Sequence, residues 1–176
     1  MKKAIIVSGI CLLISSCILG QNLKPQKDKE TKKYGYVNKS DEWVVKAIYD
    51  DADKFKDGVA KIYLNKKEGL ISETGTVLVE PQFDDIDKFK DGLAIIKNNK
   101  KYGFIDKTGK VLCETKFDDI DKFSSTGLAI IKIAKKSGLI KNDGTVITQP
   151  LYDVIYSFYG NIANIQNNKL WGLIDI

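Results

Sequence analysis

From residue 34 to the end of the chain, short runs of apolar and β-branched residues alternate with Gly, Asp, Asn, Ser and Thr, the pattern of strands joined by tight turns. Tyr102-Gly103-Phe104-Ile105-Asp106 passes through Lys107-Thr108-Gly109 into Lys110-Val111-Leu112-Cys113, which reads as a hairpin closed at Gly109. Gly75 and Gly144 take the same turn position, and Asp41 takes it in the first such segment, where the turn demands a left-handed conformation that Asp tolerates better than most residues. In Phe117-Asp118-Asp119-Ile120-Asp121-Lys122-Phe123 the apolar residues stand three apart, which predicts one helical or 3₁₀ turn, or a tight loop, with three side chains inward. Gly127-Leu128-Ala129-Ile130-Ile131-Lys132 then predicts a third strand that turns back into the next Gly-containing strand.

This motif is repeated. Gly35, Gly69, Gly103, Gly138 and Gly172 are spaced 34, 34, 35 and 34 residues apart, and the extra residue lies where Phe89-Lys90-Asp91-Gly92 becomes Phe123-Ser124-Ser125-Thr126-Gly127. Three further columns keep the phase: Tyr49, Phe83, Phe117 and Tyr152; Phe55, Phe89, Phe123 and Phe158; Ala60, Ala94, Ala129 and Ala163. Both ends of the array carry the same Gly-containing strand, Tyr34 to Val37 and Trp171 to Ile176, which disfavours a ring closed by complementary halves. The expected fold is all-β: tandem repeats of about 34 residues, each a hairpin or three-stranded unit, stacked in an open, solenoid-like array over residues 34–176, about four repeats plus a terminal strand.

These residues resemble the WG-repeat (KWG-repeat) family. The resemblance rests on Lys169-Leu170-Trp171-Gly172-Leu173-Ile174-Asp175, Lys101-Tyr102-Gly103-Phe104-Ile105-Asp106, Pro81-Gln82-Phe83-Asp84 and Gly92-Leu93-Ala94, and it covers Lys33 to Ile176. The eponymous Trp occurs at Trp171 and is replaced by Tyr34, Glu68, Tyr102 and Ser137 in the other units. The family implies a bacterial β-repeat module that mediates binding, with no shared catalytic residues to carry over.

The first 33 residues follow other rules. Met1-Lys2-Lys3 and the uncharged run Ala4–Ile14 predict a signal peptide over 1–20, since eleven residues are too few for a membrane-spanning helix. Ile14-Ser15-Ser16-Cys17 resembles a bacterial lipobox, making Cys17 the candidate lipidated residue and a lipid anchor the membrane contact; ordinary cleavage after Gly20 is the alternative. Residues 21–33 hold one aliphatic side chain, Leu23, among Lys, Gln, Glu and Asp, and are expected to form a flexible Lys-rich tether. The expected location is outside the cytoplasm, at the cell envelope as a lipoprotein or as a secreted or periplasmic protein.

Composition narrows the chemistry. The sequence has no His, and all 28 of its basic residues are Lys. Catalytic units that need imidazole are therefore excluded, as is the bidentate guanidinium recognition of phosphate or guanine. The formal charge of +5 is a Lys excess spread among Asp residues, a poor basis for binding nucleic acid. Asp50-Asp51-Asp53, Asp84-Asp85-Asp87 and Asp118-Asp119-Asp121 could ladder into Ca²⁺ ligands, but their adjacent lysines and the turn-capping habit of Asp favour structure, so no metal or other cofactor is expected. Cys113 falls in the column of Val45, Val79 and Thr148, a strand position rather than a nucleophile. The eight column aromatics are assigned to a shared core, and the non-repeating aromatics Trp43, Tyr63, Tyr156, Tyr159 and Trp171 are the binding candidates. The expected function is noncatalytic interaction with another envelope protein; the alternative is a carbohydrate- or peptidoglycan-binding module using those aromatics.

Overall fold

A computed structural model of the chain describes residues 22–159 and 162–175. The predicted signal peptide and Cys17 lie outside the described residues. The described residues contain no helix and form five antiparallel sheets in sequence order. The first sheet holds β1 (Lys24–Lys27), β2 (Tyr34–Val37) and β3 (Trp43–Tyr49). The second holds β4 (Asp51–Ala52), β5 (Val59–Leu64), β6 (Lys67–Ser72) and β7 (Val77–Phe83), and the third β8 (Asp85–Ile86), β9 (Leu93–Asn98), β10 (Lys101–Asp106) and β11 (Val111–Phe117). The fourth holds β12 (Asp119–Ile120), β13 (Leu128–Ile133), β14 (Lys136–Lys141) and β15 (Val146–Tyr152), and the fifth β16 (Val154–Tyr159), β17 (Ile162–Asn167) and β18 (Leu170–Asp175).

The repeat unit and the sheet are offset. Each unit opens with the Gly-containing strand and closes with a strand that belongs to the next sheet, so no unit completes a sheet alone. Two-residue hairpins make the crossing: Asn65-Lys66, Asn99-Lys100, Ala134-Lys135 and Asn168-Lys169 all have positive φ at both residues, the type I′ geometry that matches strand twist. The predicted turn column is also present, with Asp41 at φ 61 beside Gly75, Gly109 and Gly144 at φ 83 to 91. The extra residue of the third unit enlarges a loop. Asp57-Gly58 and Asp91-Gly92 make tight turns, whereas Ser124 to Gly127 forms a longer loop closed by Ser124 N–H to Leu128 C=O.

Strand alternation makes each of the second, third and fourth sheets a wall shared by two cores. Leu70 and Ile71 are neighbours in β6 and face opposite ways: Ile71 joins Tyr36, Val45 and Tyr49 of the first sheet, while Leu70 joins Ala94, Ile96 and Ile105 of the third. Phe104 and Ile105 divide in the same manner, as do Leu139 and Ile140. Glycine permits the tightest contact in each wall. A Cβ on Gly35, Gly69, Gly103 or Gly138 would lie 2.2–2.5 Å from the carbonyl oxygen of Val45, Val79, Cys113 or Thr148. Those carbonyls belong to strands whose register shifts beside each glycine, so the bulged strand presses its backbone into the space a side chain would fill.

Three expectations need correction. Residues 22–33 are no flexible tether: β1 pairs with β2 along its whole length, Leu23 is buried in the first core, and Asp28 closes the turn by accepting the N–H groups of Glu30 and Thr31. Backbone pairing to an existing edge holds this polar segment, a contribution that side-chain hydrophobicity cannot register. The Phe117–Phe123 segment contains no helical turn; Asp119-Ile120 pairs with Lys132-Ile131 as a short strand, which buries Ile120. The column of Phe55, Phe89, Phe123 and Phe158 is half-buried, packing one side on the core, as is Tyr152, whereas Tyr49, Phe83 and Phe117 of its column are buried as expected.

Candidate functional site

A recurring lysine–aspartate pair is committed to the joints of the array. Lys33, Lys67, Lys101 and Lys136 reach Asp50, Asp84, Asp118 and Asp153, with Lys67 Nζ 2.7 Å from Asp84 Oδ1. The other oxygen of each carboxylate accepts a backbone N–H from the following type I′ turn, at Asn65, Asn99, Ala134 or Asn168, at 2.6–2.7 Å. The lysine ammonium first, and that N–H second, hold these four carboxyls below the usual carboxylate range. Within the clusters, Asp53 accepts the Tyr63 hydroxyl and Lys132 bonds Asp119, so these acids fasten loops and neighbouring strands. Cys113 is buried opposite Phe104, and burial pushes its thiol up, away from the reactive thiolate.

The five candidate aromatics do not form one site. Trp43 is exposed at the start of β3, opposite Val37. Tyr63 lies in β5 with its hydroxyl 3.1 Å from Asp53 and the Lys61 ammonium 5.6 Å from its ring centre; burial, opposed by Lys61 and aided by Asp53, pushes the hydroxyl up to about 12. It lines a 490 Å³ groove with Asp53, Lys54 and Phe89. A 460 Å³ groove follows between Phe89 and Phe123, and a 320 Å³ one between Lys122 and Phe158, so the half-buried phenylalanines divide a row of shallow grooves. Of Tyr159 the backbone alone is described, at the end of β16.

Tyr156 and Trp171 do come together. Their rings stack at 5.1 Å with planes 23° apart, on the outward face of the fifth sheet. Trp171 stands opposite Gln166, and Leu173 opposite Asn164, so this face carries Tyr156, Trp171, Leu173 and the neutral amides of Asn164 and Gln166. The opposite face is the core side, where Ala163, Ile165 and Ile174 meet Leu139. Leu173 occupies the column of Tyr36, Leu70, Phe104 and Leu139, all fully buried at 0% exposure by the next sheet, yet Leu173 is 67% exposed and Trp171 65%.

Leu170 and Leu173 were absent from the candidates drawn from sequence. The signal for Leu170 was available in its column, where every earlier unit has the lysine that grips an aspartate beyond the next strand. At 75% exposure it is the most exposed large apolar side chain of the described residues, and it lies on the same strand as Trp171 and Leu173. Strand alternation sets Leu170 on the face opposite to Trp171 and Leu173, while exposed apolar surface of the kind that Tyr156, Trp171 and Leu173 present is characteristic of interaction sites.

Comparison with known protein families matches residues 34–67, 69–102, 102–136 and 138–171 to one repeat described as "WG containing repeat", in phase with the structural period. A comparison with curated proteins gives no match.

Proposed function

Since the chain belongs to the WG-containing repeat family, a repeat module rather than a group of enzymes, we propose that it is a noncatalytic interaction module that holds another envelope protein on its terminal sheet. The observation that carries this reading is the outward face of Tyr156, Trp171 and Leu173, with Leu173 exposed at a position that is buried in every other sheet. Export rests on Lys2, Lys3 and the apolar run after them, with anchoring through a lipid on Cys17. A photo-crosslinking residue at position 173 in the producing cell should yield a discrete protein adduct that the same residue at Lys90 does not. No adduct from position 173 would refute the reading. Labelled fatty acid should enter the chain and be lost in Cys17→Ser; an unlabelled chain found in the medium would reverse the anchoring proposal.

A second reading is favoured by one observation, the stacked Tyr156–Trp171 pair beside Asn164 and Gln166, which offers an aromatic platform and amides of the kind that bind sugars. Under it the chain co-sediments with purified wall material and Trp171→Ala abolishes the sedimentation. Absence of co-sedimentation disposes of this alternative.

A further inference from the structure

The interaction reading can be deepened to a kind of partner, because the protein displays four times what covers the edge that β18 leaves open. Among the described residues β18 is hydrogen-bonded on one side, to β17, and its other edge carries no strand. The equivalent edges of β2, β6, β10 and β14 carry β3, β7, β11 and β15. We propose that the open edge of β18 accepts one extended strand from a partner protein, added antiparallel with the sequence pattern of those four strands. The proposal rests on the interaction reading above and specifies its mode.

Three features define the occupant. The first is steric: among the described residues a Cβ on Gly172 would meet only the Ile165 side chain, at 3.4 Å, whereas each equivalent glycine is pressed by a carbonyl of its docking strand. The space that admits a bulged backbone is thus present at Gly172 and unfilled. The second is the side-chain register. In the docked strands the first, third and seventh residues face the Gly-containing strand: Val111 opposite Ile105, Cys113 opposite Phe104, and Phe117 opposite Tyr102. Transferred to β18, the partner places an apolar residue opposite Ile174, a small apolar one opposite Leu173 and an aromatic one opposite Trp171, extending the exposed apolar face sideways. The third is charge. The docked strands are followed directly by Asp50, Asp84, Asp118 and Asp153, each paired with a lysine, and Leu170 stands in that lysine's column. The partner accordingly has an apolar residue at its eighth position.

A second copy of the chain is the weaker occupant. Each of its four strands with this pattern already sits on its own glycine, and releasing one would undo that unit.

The test uses the full chain carrying Trp43→Phe, so that Trp171 is its one tryptophan, and a synthetic peptide of residues 110–121 with Cys113→Val and Asp118→Leu. A saturable blue shift of Trp171 fluorescence is expected. Binding should weaken by about tenfold or more when the peptide retains Asp at the eighth strand position, when its Phe117 is replaced by Ala, or when the protein carries Gly172→Ala. Gly172→Ala should leave the melting temperature of the free protein unlowered; the peptide variants test the same register without touching the fold. An equal shift from a scrambled peptide, no shift, or unchanged binding by Gly172→Ala and the Phe117→Ala peptide overturns the proposal. So does a dimer in sedimentation that Gly172→Ala dissociates, which would assign the edge to a second copy. If the peptide fails while the adduct at position 173 persists, strand addition falls and the interaction reading stands.

Discussion

Replacing Gly103 by Ala adds one carbon atom, and its effect can be worked out from the contacts it would make. The new Cβ would lie 2.2 Å from Cys113 O, 2.7 Å from Glu114 C and 2.8 Å from Glu114 O, all backbone atoms of β11. No rotamer change relieves a backbone clash, so β10 and β11 must separate. That strains the bulged pairing of Phe104 with Cys113 and opens the core that Phe104 shares with Phe117. Gly103 has no positive φ, so the cost is steric. Overpacking of this kind costs about 1–3 kcal/mol where side chains can move, and about 3 kcal/mol or more is expected where backbone must. Alanine otherwise stabilises a strand relative to glycine by roughly 0.5–1 kcal/mol. Gly172→Ala, whose Cβ meets only Ile165 at 3.4 Å, isolates that second effect and should leave stability unchanged or slightly raised. Urea unfolding followed by circular dichroism compares the two variants with the parent. If Gly103→Ala lies within 1 kcal/mol of Gly172→Ala, roughly the uncertainty of the comparison, the close-approach argument fails.

Three further outcomes are expected. Ala134 holds the left-handed first position of a type I′ turn that has Asn elsewhere (φ 49), so Ala134→Asn should stabilise by about 0.5–1 kcal/mol; a lowered melting temperature would contradict this. Phe117→Ala, which empties a site 2% exposed, should cost about 3–5 kcal/mol, and the half-buried Phe89→Ala about 1–2; equal costs would refute the distinction between core and groove wall. Asp50, Asp84, Asp118 and Asp153 titrate in the folded chain below their ordinary value of 3.8. Their contribution is complete above the unfolded value and is lost as pH falls through the folded one, so the melting temperature should decline below about pH 4, and less steeply in Asp84→Asn; stabilisation on acidification would contradict the linkage.

The repeated parts of the fold were legible because the period converts one ambiguous segment into four aligned ones. Asp41 could be placed in a left-handed turn because three glycines share its column, and Cys113 in a strand because Val45, Val79 and Thr148 do. Structure that depends on backbone pairing alone was not legible: β1 is polar, and its partner is an edge that no side-chain pattern announces. The Phe89 column was read as core because repetition signals a shared environment, and a shared groove wall repeats as faithfully as a shared core. Tyr156 and Trp171 were found as residues that break the period. Leu173 was missed because it keeps the period while lacking the sheet that buries its equivalents.

The spacing between each lysine and its aspartate has a consequence for how such a chain can change in length. Lys67 reaches Asp84 across 17 residues, and the same separation joins the lysine and aspartate of the units on either side. Excising residues 69–102 joins Glu68 to Gly103 and sets Lys67 at that separation from Asp118, with Phe104 and Ile105 taking the places of Leu70 and Ile71. Every joint type survives the excision, and duplication of the same segment works in reverse. Whole-period insertions and deletions therefore carry no topological penalty, and the accepting edge at Gly172 can be moved nearer to or farther from the N-terminal end in increments of one sheet without either end being rebuilt. Evolution can alter reach and recognition independently in a chain constructed this way.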